Sequence, residues 1–112
     1  MDNVKDDRYY LNKIVDDVSF VIDVTKDLSL DEFLGNELIN SAVNFKFVQI
    51  SESASKLSEN VIVKNCDIPW QKIKGLRNRI VHDYENVFLD VLYNTIKNDF
   101  PQFLSQIKGA QV

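Results

Sequence analysis

Apolar residues recur every three or four positions along the first quarter of the chain, and this spacing restricts the possible fold more than any other feature. Between about Asp6 and Asp27 they form one stripe: Leu11, Ile14, Val15, Val18, Val21 and Ile22. A repeat near 3.6 residues is the period of an α-helix that buries one face. Helical spacing continues in later segments, so the sequence predicts an all-α fold.

Helix-end signals place the further helices. The sequence "SLDE" at 29–32 has the spacing of a capping box, so a second helical region begins there. Gly35-Asn36 should interrupt this region before a long helix that runs to about Ser58. Pro69 and Pro101 each suit the first turn of a helix, where the missing N–H group costs nothing. The predicted fold is an up-and-down bundle of four to five antiparallel helices.

Three segments are less clearly defined by these signals. Val61-Ile62-Val63 could form a short strand, although no partner strand is evident. The helix that begins at Pro69 should fray near 82–83, and the next helix is expected over about 86–98. The long helix after Asn36 carries a second apolar set beside its main stripe: Leu38, Phe45 and Val48. Such a helix is either central in its bundle or buried against a second subunit, and the second option suits a bundle this small.

Length and charge limit the class of protein. The 112 residues suit one helical domain, residues 1–112, and no apolar run approaches the roughly 20 residues of a membrane span. The net charge of −4 argues against general coating of nucleic acid. Residues 64–79 nevertheless carry a charge of +4. This local excess suits a small phosphate-binding site, although a solvated helix face has the same composition.

Targeting and metal signals are sparse. The only cysteine, Cys66, allows no internal disulfide and no metal-ligand spacing. The N-terminus "MDNVKDD" lacks the basic and apolar regions of a signal peptide. We therefore expect a cytoplasmic protein without a metal, a cofactor or a membrane partner.

The segment "RNRIVHDY" at 77–84 contains the only histidine and two of the three arginines. On a regular helix Arg77 falls within the apolar arc formed by Trp70, Ile73, Leu76, Ile80 and Val81, where a guanidinium group must be paired. The opposite side carries Gln71, Gly75, Asn78 and His82. Arg77 then lies about 140° from His82. Either the helix is distorted, or the two side chains meet across a subunit boundary.

The longer stretch "IPWQKIKGLRNRIVHDY" resembles the signature of the HepT-like (DUF86) branch of the HEPN superfamily. Arg77, Asn78, His82 and Tyr84 match the family pattern, and the downstream segment Ile96…Asp99-Phe100-Pro101 adds to the likeness. The resemblance extends over about residues 7–107. It departs from the pattern at "ISES" (50–53), where relatives often carry a glycine-glutamate-alanine run. Glu52 matches, but Ser51 and Ser53 replace smaller residues, which questions the helix packing there.

The resemblance implies a metal-independent endoribonuclease toxin of a type VII pair, with a minimal nucleotidyltransferase as antitoxin. RNA would be cleaved through its 2′-hydroxyl group in the cleft of a homodimer. His82 would act as general base or acid, Arg77 would stabilise the phosphorane charge, and Asn78 would orient His82 or bind phosphate. Because each chain has one histidine, an acid–base pair of histidines requires a symmetric dimer.

The resemblance also suggests roles for neighbouring residues. Tyr84 would accept AMP from the nucleotidyltransferase. From their charge alone, Arg79 would either face solvent or contact an RNA phosphate, and Lys74 would contact an RNA phosphate. Plainer roles are available for the same side chains. His82 could stabilise a helix C-terminus, and Arg77 could form a structural ion pair with Glu52, which is compatible with catalysis.

The remaining aromatic groups and the chain as a whole also have other interpretations. Trp70 is expected in the core or an interface rather than stacked on a base, and Tyr84 could simply pack with its hydroxyl group hydrogen-bonded. The alternative function is a non-catalytic subunit that presents nucleotide or substrate to a nucleotidyltransferase. A third is a structural helical dimer that retains the motif.

Overall fold

The computed structural model describes residues 5–81 and 89–112, apart from the side chains at positions 79 and 81. Its elements are α1 (Asp7–Thr25), α2 (Leu30–Leu34), α3 (Glu37–Ser55), α4 (Glu59–Lys64), α5 (Trp70–Lys74), a 3₁₀ turn (Gly75–Arg77), α6 (Asn78–Val81), α7 (Leu89–Asn98) and α8 (Phe100–Lys108). Within these ranges there is no strand, and the predicted all-α fold is confirmed. None of the helices described is long and apolar enough to cross a membrane.

Side-chain caps explain where the first three helices begin. The Asp6 carboxylate accepts a hydrogen bond from a backbone N–H group in the first turn of α1, at 3.0 Å. The predicted capping box forms at α2: Glu32 accepts from the Ser29 backbone at 2.9 Å, and the Ser29 hydroxyl accepts from the Glu32 backbone at 3.2 Å. Asn36 caps α3 through the N–H group of Ile39, at 3.0 Å. Each cap pairs a donor that the helix itself leaves without a partner.

The strand considered at Val61-Ile62-Val63 is wrong, because these residues lie within α4. The Ser58 hydroxyl group caps this helix by accepting from the backbone of Val61, at 3.3 Å. A strand would have needed a partner for its backbone groups, whereas the helix pairs them locally. Val61 is buried and Val63 is exposed, so one side of α4 closes the core.

The two longest helices, α1 and α3, pack against each other and form the centre of the bundle. α8 packs on α1, α5 and the 3₁₀ turn pack on α3, and α7 contacts α2 and α8. The largest fully buried side chains include Phe33 from α2, Phe47 from α3 and Phe100 from α8. The rings of Phe47 and Phe100 stack with their centroids 5.2 Å apart. The main apolar stripe of α3 is used inside one chain, since Ile39 is partly buried and the others are buried: Val43, Ile50, Ala54 and, just after the helix, Leu57.

A second apolar set on α3 stays at the surface of the single chain. Leu38 is 82% exposed and Phe45 is 59% exposed, whereas Val48 is half-buried and packs against the core. α3 is therefore central and also carries apolar side chains outward. Exposed residues of this size are costly to leave in water when they adjoin one another.

One buried charge links the two central helices. Asp17 of α1 is 3% exposed, and its carboxylate lies 2.8 Å from the Lys46 ammonium group of α3 and 3.2 Å from that of Lys13. Lys13 also donates to Gln49 of α3, at 3.1 Å. A buried carboxylate is tolerated only when it is paired in this way. The result is a fixed register between α1 and the second half of α3.

Candidate functional site

The segment that carries the motif is not a regular helix. α5 begins directly after Pro69, runs for five residues and passes into the 3₁₀ turn Gly75–Arg77 before α6 starts at Asn78. A 3₁₀ turn advances about 120° per residue, compared with about 100° in an α-helix. The expectation that Arg77 lies within the apolar arc is therefore wrong, because this change of winding moves its side chain outward. The Arg77 side chain is 51% exposed.

The buried side of the segment agrees with the prediction. Trp70, Ile73, Leu76 and Ile80 are all in the core, while the side chain at position 81 lies outside the described residues. Trp70 is 5% exposed and its ring N–H donates to the backbone carbonyl of Asn65 at 3.0 Å. Trp70 is thus a core residue, and its indole is not available to stack on a base.

Ser51 of α3 accommodates the change of winding, a role that the sequence did not reveal. In a continuous α-helix the Lys74 carbonyl would accept from the N–H group of Asn78, but that N–H group bonds to the carbonyl of Gly75 instead. The buried Ser51 hydroxyl group donates to the Lys74 carbonyl and replaces the lost partner. The serine that departs from the family pattern therefore contributes a hydrogen bond to the motif segment, and the packing question raised by "ISES" is answered at this position.

The predicted pair of Arg77 and Glu52 is present. Arg77 Nη1 lies 3.9 Å from Glu52 Oε2, and both side chains are about half exposed, at 51% and 54%. An exposed pair at this distance contributes at most about 1 kcal/mol to stability. The contact holds the guanidinium group near α3, and its other N–H donors can bind a phosphate group in the bidentate manner typical of arginine.

The other predicted site residues divide into two groups. Asn78 and Lys74 are exposed near Arg77 on the same segment. Gly75 has open space beside it, since an added Cβ would have no neighbour within 4 Å among the described atoms. His82, Tyr84 and the side chain of Arg79 lie outside the described residues. Their predicted roles therefore stay predictions.

A cleft between α1 and α3 adjoins this site, and the sequence analysis missed it. Its volume is about 180 Å³, and it is lined by Lys5, Tyr9, Tyr10, Lys13, Gln49, Glu52, Ser53 and Lys56. Glu52 therefore borders the cleft and also contacts Arg77. A signal was present within α1, because Tyr9 and Lys13 are four residues apart and so share one helix face.

No metal centre is found in the two ranges described, where no three His, Cys, Asp or Glu side chains are grouped closely enough to hold an ion. Cys66 is exposed.

A family model described as ribonuclease HepT-like matches residues 14–110. The chain belongs to this family. The match includes every site residue predicted from the sequence, and the HepT-like resemblance is confirmed.

Similar proteins cover nearly the same length. A Methanocaldococcus jannaschii protein named as a candidate RNase is 29% identical over 104 residues, which are 93% of this chain and 86% of that protein. A candidate RNase of Caldanaerobacter subterraneus is 27% identical, over 94% of both chains. A Thermococcus cleftensis protein named probable ribonuclease HepT is 25% identical, over 82% of this chain and 84% of its own length. No solved structure matches the chain significantly.

Proposed function

We propose that this HepT-like chain is an endoribonuclease that cleaves RNA without a metal ion. The observation that carries the proposal is the exposed Arg77 guanidinium group, held beside α3 by a weak contact with Glu52, in a chain of the ribonuclease HepT-like family. The names of the relatives, which designate them as RNases, support the same activity.

The proposed reaction uses the 2′-hydroxyl group of the RNA as the nucleophile. A general base removes its proton, the 2′-oxygen bonds to phosphorus, and the bond to the 5′-oxygen breaks. The products are a 2′,3′-cyclic phosphate and a 5′-hydroxyl group, whose oxygen takes a proton from a general acid. His82 can act in either role near neutral pH, since an unperturbed imidazole has a pKa of about 6.5.

The remaining motif residues support this chemistry. Arg77 stabilises the extra negative charge on the phosphorane, because a planar guanidinium group offers two parallel donors. Asn78 orients His82 or binds a phosphate oxygen. Lys74 and Arg79 contact neighbouring phosphates of the RNA. Arg77, Asn78 and Lys74 belong to one short segment and are exposed on it.

The acid–base pair requires two copies of the chain. Because His82 is the only histidine, a second imidazole must come from a symmetric partner whose segment faces the same cleft. The exposed Leu38 and Phe45 on α3 support such a homodimer, since pairing would remove them from water.

We further propose that the chain is the toxin of a type VII pair whose antitoxin is a minimal nucleotidyltransferase. Transfer of AMP to Tyr84 would place bulk and negative charge beside the RNA site and so prevent binding. Mass spectrometry of Tyr84 after co-expression with the cognate nucleotidyltransferase tests this step. An unmodified tyrosine beside an active partner enzyme would remove it from the proposal.

The activity is tested by cleavage of a labelled RNA pool in EDTA, comparing the wild type with His82→Ala and Arg77→Gln. Loss of a general acid–base group should lower the rate by about 10²- to 10⁴-fold. Arg77→Gln should lower it as well, whereas Lys72→Gln, the same charge change at an exposed position of α5, should leave it nearly unchanged. Circular dichroism confirms that each variant is folded.

Cyclic-phosphate ends from the wild type, together with loss of cleavage in folded His82→Ala, establish the ribonuclease. If folded and unmodified wild type cleaves no RNA in a varied pool, the chain is better described as a non-catalytic subunit that presents nucleotide or substrate to a nucleotidyltransferase.

A further inference from the structure

The cleft between α1 and α3 is large enough for one phosphate group or one base of a nucleotide. Two helices form it: Tyr9, Tyr10 and Lys13 come from α1, with Lys5 just before that helix, and Gln49, Glu52 and Ser53 come from α3, with Lys56 just after it. Its volume of about 180 Å³ is below the roughly 300 Å³ at which pockets for drug-sized ligands begin. A single phosphate or base fits this space better than a larger metabolite does.

The charge of the cleft differs from that of the chain. Three lysines and one glutamate line it, although the whole chain carries −4. Lys13 is engaged with Asp17 at 3.2 Å. Among the described residues neither Lys5 nor Lys56 has a carboxylate within 4.0 Å, and their ammonium groups lie instead over the rings of Tyr9 and Tyr10, at 5.6 and 5.9 Å. Two cations are thus held at the cleft by aromatic faces, where they can meet an anion.

Tyr9 offers a flat surface beside these charges. Its side chain is 39% exposed and meets the half-buried Tyr10 edge to face, with the ring centroids 5.0 Å apart. The contact with Tyr10, which packs on the core, restricts the motion of the Tyr9 ring. A cationic groove with an exposed aromatic ring is the combination by which proteins bind unpaired nucleotides, through phosphate contacts and base stacking.

The cleft is also joined to the Arg77 site. Glu52 lines the cleft and its carboxylate lies 3.9 Å from Arg77 Nη1, so one side chain separates the two places. A nucleotide in the cleft would therefore neighbour a phosphate bound at Arg77. We propose that Lys5, Lys56 and Tyr9 form a subsite for an unpaired RNA nucleotide that flanks the scissile phosphate. This inference rests on the ribonuclease function proposed above.

Binding of an RNA that cannot be cleaved tests the subsite separately from the chemistry. The probe is a fluorescent single-stranded oligonucleotide with 2′-methoxy groups in place of the 2′-hydroxyls, and its Kd is measured by anisotropy at several salt concentrations. Tyr9→Leu should raise Kd about 5-fold or more, because stacking on one aromatic ring is lost. Lys5→Gln and Lys56→Gln should each raise Kd and reduce the slope of log Kd against log salt by about 0.7.

Two control variants make the same kinds of change, loss of an aromatic ring and loss of a cation, at surface positions on or next to α1 but outside the cleft. Phe20→Leu removes an aromatic side chain of α1 that is 40% exposed and lies outside the cleft. Lys26→Gln removes a cation that follows the far end of α1, about 25 Å from Tyr9 along the helix axis. Neither should change Kd or its salt dependence. Circular dichroism checks the fold of each variant.

The outcomes separate the subsite from the proposed activity. Weaker binding by the cleft variants but not by the controls supports the subsite, whether or not the wild type cleaves RNA in the separate assay. If wild type cleaves RNA and the cleft variants bind the probe as tightly as the controls do, the subsite is wrong and the ribonuclease proposal stands. The subsite proposal is also wrong if the wild type does not bind the probe.

Discussion

Asp7 joins two parts of the chain through a single carboxylate. It begins α1 and accepts hydrogen bonds from the backbone N–H group and the hydroxyl group of Ser58, the cap of α4, at 2.8 and 2.7 Å. These bonds favour the charged form and lower the pKa of Asp7 below its ordinary value of 3.8, the backbone donor having the larger effect. α4, where the sequence suggested a short strand, is thereby attached to the start of α1.

Replacing this carboxylate should make stability less dependent on pH. Because the pKa of Asp7 is lower in the folded chain, its contribution is fully present above the unfolded pKa, near 4, and is lost as the pH falls through the folded value. Asp7→Asn should therefore lower Tm by a few degrees at pH 7, and the difference from wild type should shrink below about pH 4. The Tm difference is measured by thermal unfolding, monitored by circular dichroism, from about pH 2.5 to about pH 7. This range lies on both sides of the unfolded-state pKa of the carboxylate, about 4.

Asp16→Asn is the matched control, since it removes the same charge from an exposed position of α1. It should lower Tm at pH 7 by less than Asp7→Asn does. Equal Tm differences for Asp7→Asn at pH 3 and pH 7 would contradict the assigned role of the carboxylate.

At the level of elements, apolar periodicity and the residues typical of helix ends were sufficient to predict the helices that bury one face. The boundaries of α1, α2, α3 and α8 follow from apolar spacing and from residues such as Ser29 and Pro101. The 3₁₀ turn could not be predicted in this way. It depends on a hydrogen bond from Ser51, which lies 23 residues away in the chain, and a helical wheel assumes that the winding never changes. The expectation that Arg77 lies in the apolar arc was wrong for this reason. The ion pair with Glu52, which the sequence suggested as one alternative, is present.

The 3₁₀ turn begins at Gly75, and nothing in the fold of the single chain requires a glycine at this position. Gly75 has φ −79° and ψ −8°, which any L-residue adopts, and no described atom lies within 4 Å of an added Cβ. Gly75→Ala should therefore stabilise the fold by about 0.5–1 kcal/mol, because alanine loses less conformational entropy on folding. Thermal unfolding should show a higher Tm. A simultaneous fall in RNA cleavage would indicate that RNA or a second copy approaches Gly75 in the active assembly.

Gly35→Ala provides the comparison, because Gly35 has nearly the same backbone conformation, φ −89° and ψ −2°, at the end of α2. Its added Cβ would meet the Asp31 carbonyl oxygen at an ordinary contact distance of 3.5 Å. This variant should gain stability without any effect on cleavage. A lower Tm for Gly75→Ala would mean that the space beside Gly75 is occupied in the isolated chain.

At the scale of the whole molecule, the exposed apolar face of α3 and the Arg77 site belong to one surface. Leu38, Phe45 and Glu52 follow one another at seven-residue intervals, so they lie on nearly the same side of the helix. Glu52 lies about 10 Å from Phe45 along the helix axis. A symmetric contact centred on Phe45 would therefore place the Arg77 segments of both copies near the edge of the interface. The sequence could indicate this second apolar face, but only the packed chain shows that Phe45 stays exposed after folding.

Phe45→Ser should separate the proposed homodimer without unfolding the chain. The side chain is 59% exposed in one copy, so its loss should barely change Tm, while a symmetric interface loses two such contacts. The dimer Kd should rise by roughly 100-fold. Sedimentation velocity measures the change in dimer Kd, and Val63→Ser, at a residue of α4 that is 65% exposed, serves as a control that should remain dimeric.

Because the proposed chemistry needs His82 from two chains, Phe45→Ser should also lose RNA cleavage at concentrations where it is monomeric. A monomeric wild type, or an active monomeric variant, would exclude a reaction that depends on two histidines.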